Sequence, residues 1–551
     1  MQAAPRHGAT GAHTIARRHR ADAEATRRVL AALDGLPLRR DLLIEHLHRL
    51  QDRLGGLRRR YLAALAEVLR LAPVEVFEVA SFYAHFDLLE DDAPAPTATI
   101  RVCTGLPCAM AGADELLAAL RGSPPGNARI LPAPCMGACD HAPVAATGHA
   151  TVLDATPARV AAGTLHASPQ PALPALEEGW PVLRALRSGV MDTAGVLAAL
   201  DGSGLRGMGG AGFPAARKWR AVLAQPGPRH LVVNADEGEP GTFKDRWCLE
   251  HGLDRVLEGM LVAAHVIGAE ACWIYLRDEY PEVRAALEVA LPRLSALGVP
   301  HPPVHLRRGA GAYICGEETA LLESLEGRRG YPRHKPPYPG ESGLFGRPTL
   351  IHNVETLWWL PDILAAPGAA ARFAAAGRNG ARGRRLFSLS GRVARPGVHD
   401  APAGITAREL IEEFGGGMAE GHRFAAYLPG GASGGILPAR LADRPLQFGA
   451  LDDLGCFVGS GAVVVLSDRD DLAEAARNLV RFFRDESCGQ CTPCRVGTAK
   501  AARLLDEPRW NRALLRELAA AMADGSICGL GQAAMNPVLS LLRHFPEEAL
   551  P

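Results

Sequence analysis

The 551-residue sequence has no net charge, because 60 Lys and Arg offset 60 Asp and Glu. No net field therefore draws it to nucleic acid or to an anionic membrane surface. It also lacks a long unbroken apolar run. The longest apolar region, Leu257 to Leu276, is interrupted by Glu258, His265 and Glu270, which argues against a spanning helix and predicts a buried amphipathic one. Met1 to Arg28 is rich in Arg, His and Ala and has no apolar core of the kind a secretory signal needs. It reads as a ragged, partly disordered leader, and the protein as soluble and cytoplasmic.

Cysteines are sparse outside two places. Of the 12, Cys248, Cys272, Cys315 and Cys456 stand alone in apolar or strand-like surroundings and read as small buried hydrophobes, while the others fall into two tight constellations. A long chain without a secretion signal makes metal or redox use a better reading than disulfides.

What is present in abundance is glycine, concentrated in Gly204-Leu-Arg-Gly-Met-Gly-Gly-Ala-Gly-Phe-Pro before the helix-compatible Ala-Ala-Arg-Lys-Trp219. Such a loop can bring backbone N–H groups close to an anion, and the helix start behind it adds a positive dipole end. Gly207-x-Gly209-x-x-Gly212 formally matches a dinucleotide-binding fingerprint, but that fingerprint needs a β-branched strand before its first glycine. Here the preceding Val190 to Leu200 reads as a helix, so an ordinary Rossmann domain is rejected. The strand comes afterwards, at Leu231-Val-Val-Asn-Ala-Asp-Glu-Gly-Glu, and delivers Asn234, Asp236, Glu237 and Glu239 to its carboxyl end.

In chain order, Asp41 to Phe86 has helical periodicity, with Leu62, Leu65, Ala66 and Leu69 on one stripe and Pro73 placed to start a helix. A strand at Thr97 to Val102 runs into Cys103-x4-Cys108; after a helix-like Asp114 to Arg121 comes Cys135-x3-Cys139. Four thiolates on such loops suit zinc or an iron–sulfur cluster, and spacing alone does not choose between them. With its helical lead-in, however, the stretch 30–165 resembles the thioredoxin-like [2Fe–2S] subunit of respiratory complex I. That resemblance implies a [2Fe–2S] cluster on all four cysteines.

Pro169 to Pro174 reads as a stiff linker. Beyond the glycine loop lie Gly309-Ala-Gly-Ala-Tyr-Ile-Cys-Gly-Glu-Glu-Thr319, Lys335-Pro-Pro-Tyr338 and Asn353-Val-Glu-Thr356. Each has a bland alternative; Glu317 and Glu318, for instance, suit any helix N-terminus. Together they resemble the flavin subunit of complex I and the diaphorase subunits of NAD-coupled hydrogenases and formate dehydrogenases. The resemblance implies that Gly207, Gly209, Gly210, Lys218, Asn234, Asp236, Glu237, Gly316, Asn353 and Thr356 hold FMN. It also implies that Phe213, Glu239, Glu318, Lys335 and Tyr338 face NAD(H). Hydride transfer is then the cofactor's chemistry, and no general acid or base is assigned. Three positions depart from that family pattern: His352 replaces a second Asn, Tyr338 replaces Phe, and Ala221 replaces an aromatic that helps to hold adenine.

Short strands and turns between Arg385 and Pro445, with a glycine cluster at 430–435, resemble the β-grasp (SLBB-like) insert of the same family, expected to bridge rather than to catalyse. A strand at Gly459 to Leu466 and an amphipathic helix at Asp471 to Arg484 lead to Cys488-x2-Cys491-x2-Cys494. Three thiolates so spaced can wrap one face of a [4Fe–4S] cluster, with Cys528 as the fourth ligand after a helix across Asn511 to Ala523; zinc, which more often uses paired loops, is the alternative.

The expected organisation is a multidomain α/β chain. A leader and helical bundle (1–90) are followed by a thioredoxin-like [2Fe–2S] domain (91–168) and a non-standard α/β FMN/NAD(H) domain (175–380). A β-grasp domain (381–457) and a C-terminal helical [4Fe–4S] domain (458–551) complete it. After eight cysteines are assigned, no Cys/His cluster remains for molybdenum, tungsten or nickel, so the substrate-oxidising centre is expected on a partner. The runs 233–246 and 275–280 look most like the β subunit of molybdenum- or tungsten-containing, NAD-dependent formate dehydrogenases, whose catalytic α subunit would be that partner. The hydrogenase diaphorase subunit is the alternative, and a non-catalytic redox sensor or scaffold a reading of another class.

Overall fold

The computed structural model describes residues 22–162, 180–294, 300–546 and 550–551. The leader up to residue 21 and the Pro169–Pro174 linker lie outside the described residues. Inside the expected leader, a helix already begins: Ala23–Ala32 starts behind Asp22, whose carboxylate accepts from Ala25 N at 2.5 Å, and Ala25, Val29 and Ala32 are buried. The helical bundle thus opens earlier than the sequence suggested, and it continues with Leu43–Leu54, Arg59–Leu69 and Pro73–Phe82.

The next sheet holds β1 (Thr99–Cys103), β2 (Arg129–Ala133), β3 (Ala145–Thr147) and β4 (Ala150–Val152) in the order β2-β1-β3-β4, with β1 and β2 parallel and the other pairs antiparallel. Parallel pairing needs a crossover, here running through the helix Ala113–Gly122.

A four-stranded, all-parallel sheet follows: β5 (Arg229–Ala235), β6 (Ala269–Leu276), β7 (Val304–Arg308) and β8 (Thr349–Asn353), in the order β8-β5-β6-β7. Its central strands are apolar throughout because both faces are covered. Leu231, Val233, Cys272 and Ile274 join the core under the helix Leu253–Ile267. Val232, Trp273 and Tyr275 join a second core containing residues of the N- and C-terminal helices. The apolar region Leu257 to Leu276 is therefore not one helix. Gly268, at φ 61°, caps Leu253–Ile267 in a left-handed conformation, and the chain re-enters the sheet as β6.

Five further strands, β9 (Arg384–Gly391), β10 (Gly397–Pro402), β11 (Phe424–Leu428), β12 (Leu437–Pro438) and β13 (Ala462–Ser467), form a mixed sheet ordered β10-β9-β13-β11-β12. β13 is its central strand, so this sheet extends past residue 457, the expected end of the insert. The chain closes with Leu472–Asp485, Thr492–Leu505, Arg512–Gly525 and Asn536–His544. Among the described residues, no helix is long and apolar enough to cross a membrane. The four solitary cysteines are all buried.

Candidate functional site at the sheet ends and the two cysteine clusters

The carboxyl ends of β5 and β8 meet the glycine loop, which lies between the helices Thr193–Ser203 and Ala215–Leu223. The N–H groups of Gly207 and Met208 are spent on the Phe213 carbonyl (2.8 Å) and the Thr356 hydroxyl (2.9 Å). The loop's capacity for an anion therefore rests on residues 209–212. A Cβ at Gly209 would sit 3.2 Å from the Asn353 Cβ, so a side chain there would crowd the cradle.

Asn234 donates to the Gly316 carbonyl at 2.9 Å and accepts from Asp236 N at 3.0 Å. That clasps the end of β5 to the turn Tyr313–Gly316. Asp236 is buried with one carboxylate oxygen lacking a protein partner, and burial pushes its carboxyl well above the usual range. An orphaned buried oxygen beside a glycine cradle suits a ligand rich in hydroxyl donors, as the ribityl chain of FMN is.

The paired acids divide their labour. Glu317 caps the helix Glu318–Leu325, accepting from Thr319 N and Ala320 N at 2.8 and 2.9 Å. Glu318 instead meets Lys218 at 3.1 Å and Lys335 at 3.0 Å. Burial alone would raise its pKa, but the two ammonium groups outweigh that and hold it down to about 2. Phe213 and Tyr338 lie at the surface, 46% and 56% exposed, and Ala221 is exposed on the helix that carries Lys218.

Two expected ligands are engaged by the protein itself. Glu237 accepts from Asp245 N (2.9 Å), Arg246 N (3.1 Å) and the Tyr280 hydroxyl (2.9 Å), fixing the start of the helix Lys244–His251. Glu239 accepts from Ser433 N at 2.8 Å and from the Tyr313 hydroxyl. Ser433 also receives Asn536 at its carbonyl, 2.9 Å away, so the 430–435 glycine cluster does bridge to the C-terminal helices. His352 is buried and accepts from the Trp219 indole at 2.6 Å. Burial, then Lys218, lowers its pKa to about 3, so the ring is neutral with its hydrogen on Nδ1.

Sequence reasoning missed Lys244, which is fully buried and reaches Asp245 (2.7 Å), Glu355 (3.1 Å) and Asn353 Oδ1 (3.2 Å). Its only signal was the charged triplet Lys244-Asp-Arg246, which ordinarily reads as a solvated face.

Cys103, Cys108, Cys135 and Cys139 are unpaired and buried. Cys135 and Cys139 sulfurs lie 3.4 Å apart, and Cys103 is within hydrogen-bonding reach of Cys108 and Cys135. Cys488, Cys491, Cys494 and Cys528 line a cavity of about 250 Å³ together with Ile314 and Pro332. Among the described residues, no His, Cys, Asp or Glu set has single-ion geometry. Two all-thiolate sets, one around a cavity of this size, suit polynuclear clusters, whose thiolates attach to different irons.

Relatives share this layout. Residues 29–164 match the thioredoxin-like [2Fe-2S] ferredoxin family, 200–362 the Nuo51 FMN-binding domain, 386–437 the SLBB domain, and 474–550 the NADH-ubiquinone oxidoreductase-F iron-sulfur binding region. A NADH-quinone oxidoreductase F subunit of Rhizobium meliloti (strain 1021), the second of two in that organism, is 41% identical over 362 residues, 63% of this chain and 86% of that protein. The chain belongs to the family of NADH-quinone oxidoreductase F subunits. The F subunit of Aquifex aeolicus (strain VF5) is also 41% identical, over 63% of this chain and 84% of its own length. An NAD+-reducing [NiFe]-hydrogenase structure in the H2-reduced state shares 33% identity with a TM-score of 0.80, covering 92% of both chains. This F-type chain thus carries FMN-binding, [2Fe–2S] and [4Fe–4S] regions together, in a multidomain α/β fold.

Proposed function

We propose that this chain exchanges hydride with NAD(H) at FMN and single electrons with a partner through Cys488, Cys491, Cys494 and Cys528. One observation carries the reading. The turn Tyr313–Gly316 is held on one side by Asn234, at the Gly316 carbonyl (2.9 Å). On the other side Glu486 receives Tyr313 N at 2.8 Å, and Ile314 lines the cavity of the four cysteines. A single turn thus joins the flavin cradle to the second cysteine set.

When bound, FMN supplies the conversion between a two-electron hydride and one-electron carriers. The chain's own residues do the rest. Residues 209–212 and Lys218 favour an anionic phosphate, and Asn353 and Thr356 brace the loop above it. Asp236 offers an acceptor to hydroxyls. Lys335 and the ionised Glu318 offer a cation and an acceptor to the dinucleotide, with Phe213 and Tyr338 as exposed rings at the entrance. Glu237 and Glu239 position these elements, and no side chain is required as general acid or base.

In this reading the protein works in the cytoplasm, with a catalytic subunit that oxidises formate at a molybdenum or tungsten cofactor. The support is the likeness of residues 233–246 and 275–280 to formate dehydrogenase β subunits. A hydrogen-oxidising partner is the second reading, favoured by the 92% mutual coverage with a hydrogenase chain. Purifying the native complex and assaying NAD+ reduction with formate and with hydrogen separates them: formate-driven reduction is expected, and reduction by hydrogen alone overturns the formate assignment. A sensor or scaffold would show no NADH-dependent reduction of an artificial dye.

A further inference from the structure

Leu276 ends β6, and the next residue, Arg277, enters the seam between the parallel sheet and the first cysteine set with 3% of its side chain exposed. Its Nη2 donates to the Cys135 carbonyl at 2.5 Å and to Glu279 Oε1 at 2.8 Å, while Nη1 donates to the Glu237 carbonyl. One guanidinium therefore joins the cysteine loop to the segment that supplies Asp236. The Tyr280 ring lies 5.1 Å from the guanidinium carbon, and the same tyrosine packs so closely on Gly137 that a Cβ there would clash with its hydroxyl. Gly137, at φ 67°, lies between Cys135 and Cys139.

Burying an arginine costs several kcal/mol unless it is paired. Glu279 supplies the counter-charge: burial would raise its pKa, but Arg277 and then His85 outweigh that and keep it ionised. One Glu279 oxygen nonetheless has no hydrogen-bond partner, and neither has Arg277 Nε. A packing strut alone would not call for two opposed charges against a cysteine loop, since a neutral amide could donate to the same carbonyl.

We infer that Arg277 is a positioning residue that clamps the Cys135 loop to the flavin side of the seam, and that Arg277 and Glu279 set, in opposite directions, the reduction potential of the group held by Cys103, Cys108, Cys135 and Cys139. This rests on the reading that those cysteines carry the [2Fe–2S] cluster. Reduction adds one electron, and hence one negative charge, with no bond made or broken. In a low-dielectric seam a fixed cation favours the reduced state and a fixed anion opposes it.

The test is an EPR-monitored redox titration of the full chain. Arg277→Gln shifts the [2Fe–2S] midpoint negative, Glu279→Gln shifts it positive, and Arg277→Lys, which keeps the charge, falls between wild type and Arg277→Gln. The [4Fe–4S] midpoint moves less in all three. Shifts of the Gln variants in the same direction, or none, overturn the proposal. If Arg277→Gln does not fold, the sign of the Glu279→Gln shift decides alone. A wild-type chain without a [2Fe–2S] signal overturns the cluster assignment and this proposal with it, whereas a normal signal with unmoved midpoints overturns only the role of Arg277.

Discussion

The two cysteine sets differ in how they are enclosed. Cys103, Cys108 and Cys135 are each 1% exposed and Cys139 5%, whereas in the second set only Cys494 is buried. The first set is walled by residues from far along the chain: Arg277 at the Cys135 carbonyl, Arg246 paired with Asp140 at 2.8 Å, and Asn478 donating to the Thr104 carbonyl at 2.9 Å. The second comes from one C-terminal stretch with Ile314 and Pro332 leaning in. A group sealed on all sides can communicate with the flavin side but offers little surface to another protein; one near solvent can do both. The proposed electron exit follows from that difference.

The largest effect that could break this contrast is at the exposed set. Cys491→Ala should remove the [4Fe–4S] EPR signal and slow electron delivery to the partner by about 100-fold, while flavin content and NADH-dependent bleaching persist. An equal loss on Cys135→Ser, with the [4Fe–4S] signal intact, would make the sealed set the exit. Next comes the seam. Asp140→Asn should lower local opening free energy around the first set by about 2 kcal/mol, because it strips a charged partner from Arg246. Arg495→Gln beside the second set should cost less than about 0.5 kcal/mol, as ordinary surface changes do. Hydrogen exchange reads both, and similar losses would erase the contrast.

At the cradle, Glu318→Gln should raise KM for NADH by about 10-fold with kcat little changed, as loss of uniform binding does. A fall in kcat with unchanged KM would place Glu318 elsewhere in the cycle.

The smallest effect concerns His352, whose folded pKa of about 3 lies below its ordinary 6.5. Its contribution is fully present above pH 6.5 and is lost as pH falls towards 3, because the unfolded chain binds the extra proton. His352→Asn should remove that loss, which is about 0.8 kcal/mol at pH 6 and steepens to about 1.4 kcal/mol per pH unit below it. Thermal midpoints of the two proteins from pH 7 to 5 measure it.

The sequence revealed most where chemistry is local. Cysteine spacings, the strand ending in Asn234 and Asp236, and the helix starts at Pro73 and Asp471 all depend on residues within a few positions. It revealed least where partners are distant. Glu239 looked like a ligand because its neighbours are acids and glycines, but its bonded partner Ser433 is 194 residues away. Lys244 and Arg277 looked like ordinary surface charges because nothing nearby announces the acids that neutralise them. The Leu257–Leu276 run concealed a helix and a strand because the break is a single glycine and both elements are buried. The C-terminal edge of the mixed sheet was misjudged because β13 joins β9 in parallel across more than 70 residues of chain.

The most direct test is an anaerobic NADH titration of the full chain, followed by flavin absorbance and low-temperature EPR. The flavin bands are expected to bleach, and a [4Fe–4S] signal, lost in Cys491→Ala, to grow with them. Absence of bleaching, or bleaching that never yields an iron–sulfur signal, would contradict the claim that hydride enters at this cradle and leaves as single electrons.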